Sequence, residues 1–329
     1  MTASESPPLL ALCFPCYNEE ALLPHVIDPI LAKLGRLIGE GLANADSFVL
    51  FVNDGSTDHT WSLLKAWCRQ HKQVRAIKQA RNAGHQNAIL CGMLYAKDHA
   101  ECVITMDADL QDDLDAVEEM LRLYREEGCE IVYGIRQDRS TDSFFKQQSA
   151  TAFYRLMHWL GTDIRYNHAD FRLVGKKALE ALAGFREVNL FLRGIFPLLG
   201  FQTGEVRYDR KERGFGTTKY PLSHMVRLAW MGIVSLTSVP LRLISGLALL
   251  ACVVSFALVV WVVVIKLSGR AVTGWASLAV LICFFGAVQL LSLSILGEYL
   301  SMIFLETKGR PRYIIAEILH SSGQQAGFE

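Results

Sequence analysis

Apolar and polar positions change places in short runs over roughly the first 239 residues, and then, from 240 to 300, the chain turns almost wholly apolar. Within the first part, β-type runs at 9–14, 48–53, 74–78, 102–107 and 130–135 are separated by amphipathic segments with a helical period. That alternation predicts an α/β domain with a mostly parallel sheet. In such sheets ligands sit beyond the carboxyl ends of the strands, and the polar clusters fall there. They are Tyr17-Asn18-Glu19-Glu20, Asp54-Gly55-Ser56-Thr57-Asp58, Arg81-Asn82-Ala83-Gly84 and Asp107-Ala108-Asp109, four loops expected to face one crevice. From 142 to 240 the pattern is more helical, with strands expected at 170–174 and 204–208. Segments 190–200 and 220–239 are apolar but too short or too interrupted to span a bilayer. Core helices would explain them, but their place just before the apolar part favours helices lying in a membrane interface.

Two stretches of the apolar part can be measured against a bilayer. Residues 243–265 are 23 positions without a charged side chain, a helix of ~34 Å against a hydrocarbon core of about 30 Å. Residues 271–297 are 27 more, opened by Gly274 and Trp275 at the expected interface. The reading is a two-helix transmembrane hairpin, about 243–265 and 274–297, in preference to two buried core helices. Arg207, Arg210, Lys211, Arg213, Lys219, Arg227 and Arg242 precede it, Lys308, Arg310 and Arg312 follow it, and the connecting loop holds only Lys266 and Arg270. Excess positive charge marks the cytoplasmic side, so both termini and the large domain are expected there, on the inner (cytoplasmic) membrane. Segment 9–14 is too short for a signal-peptide core and no Lys or Arg precedes it.

Composition narrows the partners. With 33 Lys+Arg against 33 Asp+Glu there is no net charge to steer the chain toward nucleic acid, and 51% apolar content excludes disorder. Cys13 and Cys16 form a C-x-x-C, yet no second pair follows to complete four zinc ligands, so reduced thiols are the simpler account.

Asp54-Gly55-Ser56 reads both as a tight turn into a helix and as a strand-end carboxylate able to accept hydrogen bonds from a ribose or nucleobase. Asp107-Ala108-Asp109 follows an apolar strand and leads into Asp112 and Asp113. Carboxylates this dense repel one another unless a cation offsets them, and hard divalent ions with diphosphate ligands suit one or two such groups. A metal-diphosphate site is the favoured reading, with Mg2+ or Mn2+ as the ion.

Taken as an ordered set, Phe14-Pro15-Cys16-Tyr17-Asn18-Glu19, Val52-Asn53-Asp54-Gly55-Ser56-Thr57-Asp58, Arg81-Asn82-Ala83-Gly84 and Met106-Asp107-Ala108-Asp109-Leu110-Gln111-Asp112 resemble the family 2 glycosyltransferases of GT-A (Rossmann-like) fold. With the apolar hairpin and the run from Leu296 to Pro311, the chain is similar to the polyprenyl-phosphate glycosyltransferases, including bactoprenol glucosyltransferases and dolichol-phosphate-mannose synthases. The resemblance implies that Pro15, Tyr17, Glu19, Asp54, Arg81, Gly84, Asp107, Asp109 and Gln111 meet the nucleotide and donor sugar, with the metal on Asp107 and Asp109. It implies a basic acceptor loop in which Arg210, Arg213, Thr218, Lys219 and Tyr220 meet the lipid phosphate. Thr218 stands where the family usually has Ser, keeping the hydroxyl, and Cys16 where an aliphatic residue is commoner. Asp109, Asp170, Arg213 and Lys219 are the implied catalytic set. Asp170 could act as a general base, orient a sugar hydroxyl, or pair with Arg172; substrate positioning is preferred.

The expected organisation is a cytoplasmic catalytic domain at 1–189, interfacial helices with the basic loop and a returning strand at 190–239, two transmembrane helices within 240–300 and a cytoplasmic tail at 301–329. The expected reaction moves a hexose from a nucleotide sugar to polyprenyl phosphate at a lipid bilayer. UDP-glucose is the first choice of donor, ahead of GDP-mannose, UDP-N-acetylglucosamine and a modified arabinose donor. A homo-oligomer stays open. A processive synthase would carry a Q-x-x-R-W-type motif, which is absent; a non-catalytic scaffold or transport protein would not need Asp54, Asp107 and Asp109.

Overall fold

The computed structural model describes residues 6–136, 168–187, 192–209, 239–268 and 274–320. They fall into two compact units, the first holding the described residues up to 209 together with 311–320, the second holding 239–268 and 274–310.

The first unit is built on one eight-stranded sheet. In chain order its strands are β1 Leu10–Cys16, β2 Phe48–Asn53, β3 Val74–Gln79, β4 Cys102–Thr105, β5 Ile131–Arg136, β6 His168–Gly175, β7 Thr203–Tyr208 and β8 Ile315–Leu319. Their spatial order is β7-β5-β6-β4-β1-β2-β3-β8. Strands β4, β1, β2 and β3 run parallel, as do β5 and β7, while β6 and β8 are antiparallel to their neighbours. The helices are α1 Leu23–Gly39, α2 Thr60–Gln70, α3 His85–His99, α4 Ala116–Glu126, α5 Lys176–Ala183 and α6 Leu192–Leu198.

Strand β1 shows why its sequence reads as an unbroken apolar run. Leu10, Leu12 and Phe14 pack toward Ile30 and Leu34 of α1, and Ala11 and Cys13 pack toward Leu90 and Met93 of α3. A strand covered on both faces has no polar side to show. Helix α3 comes so close that a Cβ on Gly92 would lie 2.2 Å from Cys13 Sγ. Because side chains alternate along a strand, Cys13 and Cys16 belong to opposite faces, so the C-x-x-C cannot chelate one ion or close on itself. Burial pushes both thiols upward in pKa, which leaves them inert.

Segment 190–200 corrects the interfacial reading. Leu192, Ile195 and Phe196 of α6 are buried in the core on the α3 side of the sheet. The apolar run there matches a helix packed on a sheet, so proximity to the apolar part of the chain was the wrong cue. Segment 220–238 lies outside the described residues.

Strand β8 has no counterpart among the expected strands; its residues fall within the expected tail at 301–329. It pairs antiparallel with β3, and Ala80 N donates to Ile314 O at 2.8 Å. Glu317 accepts from Trp61 Nε1 at 3.2 Å and pairs with Lys65 Nζ at 2.9 Å, tying the strand to α2. Without β8 the edge of β3 would show unpaired amides and carbonyls. Ending the chain before Pro311 is expected to lower Tm by at least about 5 °C, read by thermal melting, with faster amide exchange in β3.

The second unit contains α7 Val239–Leu267 and α8 Trp275–Thr307. Among the described residues one helical stretch, Phe284–Thr307, is long and apolar enough to cross a membrane, and Leu243–Ala257 is a shorter apolar stretch. The expected second span ended at Gly297, whereas α8 continues through Glu298 to Thr307. Four hydroxyls in or next to these helices bond back to the preceding turn: Ser245 donates to Leu241 O, Ser268 to Val264 O, Ser292 to Val288 O and Thr307 to Ile303 O. Such back-bonding lets a polar side chain sit in an apolar surrounding.

Candidate active site

The four polar loops do converge. Strands β1, β2 and β4 end together, and the loops that follow are joined by side chains rather than merely placed near one another. Asn18, at φ 54°, accepts from Thr57 N at 2.9 Å, and its own amide donates to Ser56 Oγ at 2.9 Å. Glu20 Oε2 accepts from His59 N at 2.9 Å, and Glu20 N donates to Asp58 Oδ2 at 3.1 Å. These reciprocal bonds fasten the loop after β1 to the loop after β2.

Asp54 makes the next connection. Its carboxylate is 3% exposed, with Oδ1 accepting from Ala83 N at 2.7 Å and Oδ2 from Gly84 N at 3.0 Å. Burial raises its pKa above the ordinary aspartate value, and the two amides pull it partly back. The side chain therefore anchors the Arg81-to-Gly84 loop at the start of α3. Gly55, at φ +65°, carries the backbone past that loop so closely that a Cβ would stand 2.4 Å from the Arg81 carbonyl carbon.

His85 opens α3 and reaches the acidic loop. Its Nε2 lies 3.5 Å from Asp107 Oδ1 and 3.6 Å from Asp170 Oδ2. Burial alone would lower this imidazole, but Asp170 and Asp107 outweigh it and leave the pKa raised. Asp107 is pushed up to about 6 by burial and by the carboxylates of Asp112, Asp170 and Asp109, against the opposing effect of His85. Asp109 Oδ1 accepts from Gln111 N at 3.2 Å, across a turn in which Leu110 takes φ 49°. Beneath it, buried Asp112 accepts from Tyr208 Oη at 2.5 Å and lies 3.5 Å from Arg136 Nη2, which holds the acidic loop on β5 and β7.

Asp170, on β6, is enclosed by cations. Arg172 Nη2 donates to Oδ1 at 3.0 Å, and Arg193 donates through Nε to Oδ1 at 3.2 Å and through Nη2 to Oδ2 at 3.1 Å. Burial would raise Asp170, but Arg193, His85 and Arg172 hold it well below the usual carboxylate range. Such a group is a poor proton acceptor near neutrality.

Of the residues expected at the donor, Pro15 lies buried inside β1 opposite Val52, Tyr17 is 46% exposed, Glu19 is partly exposed, Arg81 is exposed, Gly84 caps α3 and Gln111 is buried. Arg210, Arg213, Thr218, Lys219 and Tyr220 lie outside the described residues. His85 and Arg193 were missed by the sequence reading. His85 directly follows the quoted Arg81-to-Gly84 motif, and Arg193 is a lone charge in the apolar 190–200 segment, which is itself a sign of a paired cation.

Asp107 and Asp109 suit a hard divalent ion. Burial and then three neighbouring carboxylates raise the pKa of Asp107, and a cation there would offset the repulsion among them. Among the described residues no group of three His, Cys, Asp or Glu side chains could hold a metal by itself. An ion on the acidic loop would therefore complete its shell with substrate oxygens and water, as Mg2+ commonly does.

Comparison with known proteins bears on this arrangement. The model of glycosyl transferase family 2 matches residues 11–183. The uncharacterized glycosyltransferase YkoT of Bacillus subtilis (strain 168) is 46% identical over 311 residues, covering 94% of this chain and 92% of its own. The bactoprenol glucosyl transferase of Shigella phage SfX is 35% identical over 310 residues, 93% of this chain and 98% of its own. Among solved structures, glucosyl-3-phosphoglycerate synthase from Mycobacterium tuberculosis in complex with Mn2+, UDP-glucose and phosphoglyceric acid aligns with TM-score 0.48 and 16% identity over 70% of this chain and 78% of its own. Matched over more than half its length and sharing this identity with full-length relatives, the chain belongs to glycosyl transferase family 2.

Proposed function

We propose that this glycosyltransferase is membrane-anchored and moves glucose from UDP-glucose to polyprenyl phosphate, inverting the anomeric carbon by direct displacement. The observation that carries the reading is the relay from Asp54 through the Ala83 and Gly84 amides to His85 and on to Asp107, which joins a candidate nucleotide loop to a candidate diphosphate loop. Similarity to the bactoprenol glucosyl transferase supports the acceptor and the sugar. The apolar stretch Phe284–Thr307 supports an anchor, and the charge-free runs and charge pattern around 240–300 support two spans, about 243–265 and 274–297, with both termini and the catalytic unit cytoplasmic.

In this reading the loops after β1, β2 and β3 hold the nucleotide, and Asp107 and Asp109 hold the diphosphate end through Mg2+ or Mn2+. The bound ion would draw charge from the departing diphosphate. A phosphate monoester has a second pKa of about 6, so the acceptor is already largely ionised and needs positioning more than deprotonation. The depressed Asp170 fits that division of labour. Arg210, Arg213 and Lys219, beside the first apolar stretch, supply the charge to hold a lipid phosphate at the membrane surface, with Thr218 and Tyr220 as hydroxyl donors.

The test is incorporation of label from a panel of nucleotide sugars into the lipid phase, using the purified full chain and undecaprenyl phosphate. Label entering from UDP-glucose supports the proposal; label entering only from GDP-mannose, UDP-N-acetylglucosamine or an arabinose donor replaces the sugar; no label from any donor overturns the acceptor. One pH effect follows. With a pKa of about 6, Asp107 is mostly ionised at pH 7 and takes a proton as the pH falls through 6. Apparent Mg2+ affinity should then drop about tenfold per pH unit below pH 6, measured by metal titration of transfer rate.

A further inference from the structure

Asp170 and Arg193 form a pair that the reaction as drawn does not use. Asp170 is 13% exposed and already has one arginine, Arg172, whose side chain is 1% exposed and stacks over Phe196 at 4.5 Å. A single buried guanidinium would satisfy one buried carboxylate. A second, Arg193, is nevertheless clamped to both oxygens of Asp170, and its side chain is 36% exposed. Arg172, Arg193 and His85 thus face one aspartate, with the Asp107 carboxylate on the other side of the imidazole. The base of Arg193 is held too, because Gln86 Oε1 accepts from Leu192 N at 3.3 Å. The cluster is one imidazole away from the acidic loop, since His85 touches Asp107 and Asp170 with the same nitrogen. A guanidinium fixed in orientation, partly open and next to a diphosphate loop has the form of a phosphate ligand.

We propose that Arg193 is a phosphate-binding residue and that Asp170 is the positioning residue that aims it. The ligand is a phosphate oxygen of one of the two substrates, so the proposal rests on the glycosyltransferase reading. Asp170 acts through Arg193 and takes no proton from the acceptor.

The experiment uses the full chain in detergent, with UDP and Mg2+ as the calorimetric probe and undecaprenyl phosphate as the varied substrate in initial-rate transfer. Arg193→Ala is expected to weaken one of the two by at least tenfold: UDP affinity if the oxygen belongs to the donor, KM for undecaprenyl phosphate if it belongs to the acceptor. Asp170→Asn should weaken the same interaction, and in the Arg193→Ala background it should add less than twofold. Less than twofold change in both quantities on Arg193→Ala overturns the proposal, and so do single effects that multiply in the double variant. If Asp170→Asn does not fold, the pH profile of kcat in Arg193→Ala decides. Read at saturating Mg2+, where protonation of Asp107 is suppressed, an Asp170 acting as base and freed of that arginine would shift the acidic limb upward; a positioning Asp170 leaves it in place. Wild-type protein that binds UDP but labels no polyprenyl phosphate would defeat the acceptor reading alone, and the UDP measurement would then judge Arg193 by itself.

Discussion

Replacement of Asp109 by asparagine is expected to reduce sugar transfer by about 10³-fold or more, roughly 4 kcal/mol of transition-state stabilisation, with the fold intact. The geometry makes this substitution selective. Asp109 Oδ1 accepts from the Gln111 amide across the turn, and an asparagine oxygen can accept the same bond. What is lost is the charge that a hard cation requires, at a position where Asp107 alone cannot replace it. The measurements are initial rates over a range of Mg2+ and Mn2+ concentrations and a thermal melt. Near-wild-type turnover in a folded Asp109→Asn protein, or full wild-type activity in excess chelator, would remove the metal from the acidic loop.

Asp54→Ala is expected to weaken UDP binding by about 100-fold while changing KM for polyprenyl phosphate much less. Its two amide bonds involve a carboxylate out of water, and each such bond contributes about 1.5–3 kcal/mol. Without them, the Ala83 and Gly84 amides lose their partner and the Arg81-to-Gly84 loop is no longer held against the start of α3. Asp54→Asn should lie between, since one of its two terminal atoms is a donor facing a donor. Gly55→Ala approaches the same loop from the other side, where the added Cβ has no room beside Arg81. UDP affinity within twofold of wild type in both alanine variants would show that this loop does not bind the nucleotide.

Sequence pattern and structure agree where a local signal and a global role coincide. Strand β2 was expected at 48–53 and is found at Phe48–Asn53, because a buried parallel strand between turn residues has an unambiguous pattern. The strand-end clusters were also legible, since switch-point loops announce themselves as polar breaks after apolar runs. Strand β8 was not: five residues beyond a long apolar helix carry no clue that they return to β3. Asp54 was expected to meet a nucleotide; its oxygens face the backbone amides of Ala83 and Gly84. His85, Arg172 and Arg193 around Asp170 come from three separate elements, and no spacing rule brings such residues together. The ion pair with Arg172 was the one part of that cluster visible from two residues' distance.

Strand β8 also sets a timetable for synthesis. The ribosome makes β3 early, but its partner emerges only after the entire apolar part of the chain, a delay on the order of 10–50 s at about 5–20 residues per second. Throughout that interval the nascent sheet has an open edge at β3, next to the loop that Asp54 fastens. The sheet can be closed only once α7 and α8 have been made. A nascent chain stalled before residue 315 would carry the acidic loop but lack its last strand, and would be a natural substrate for chaperones and proteases.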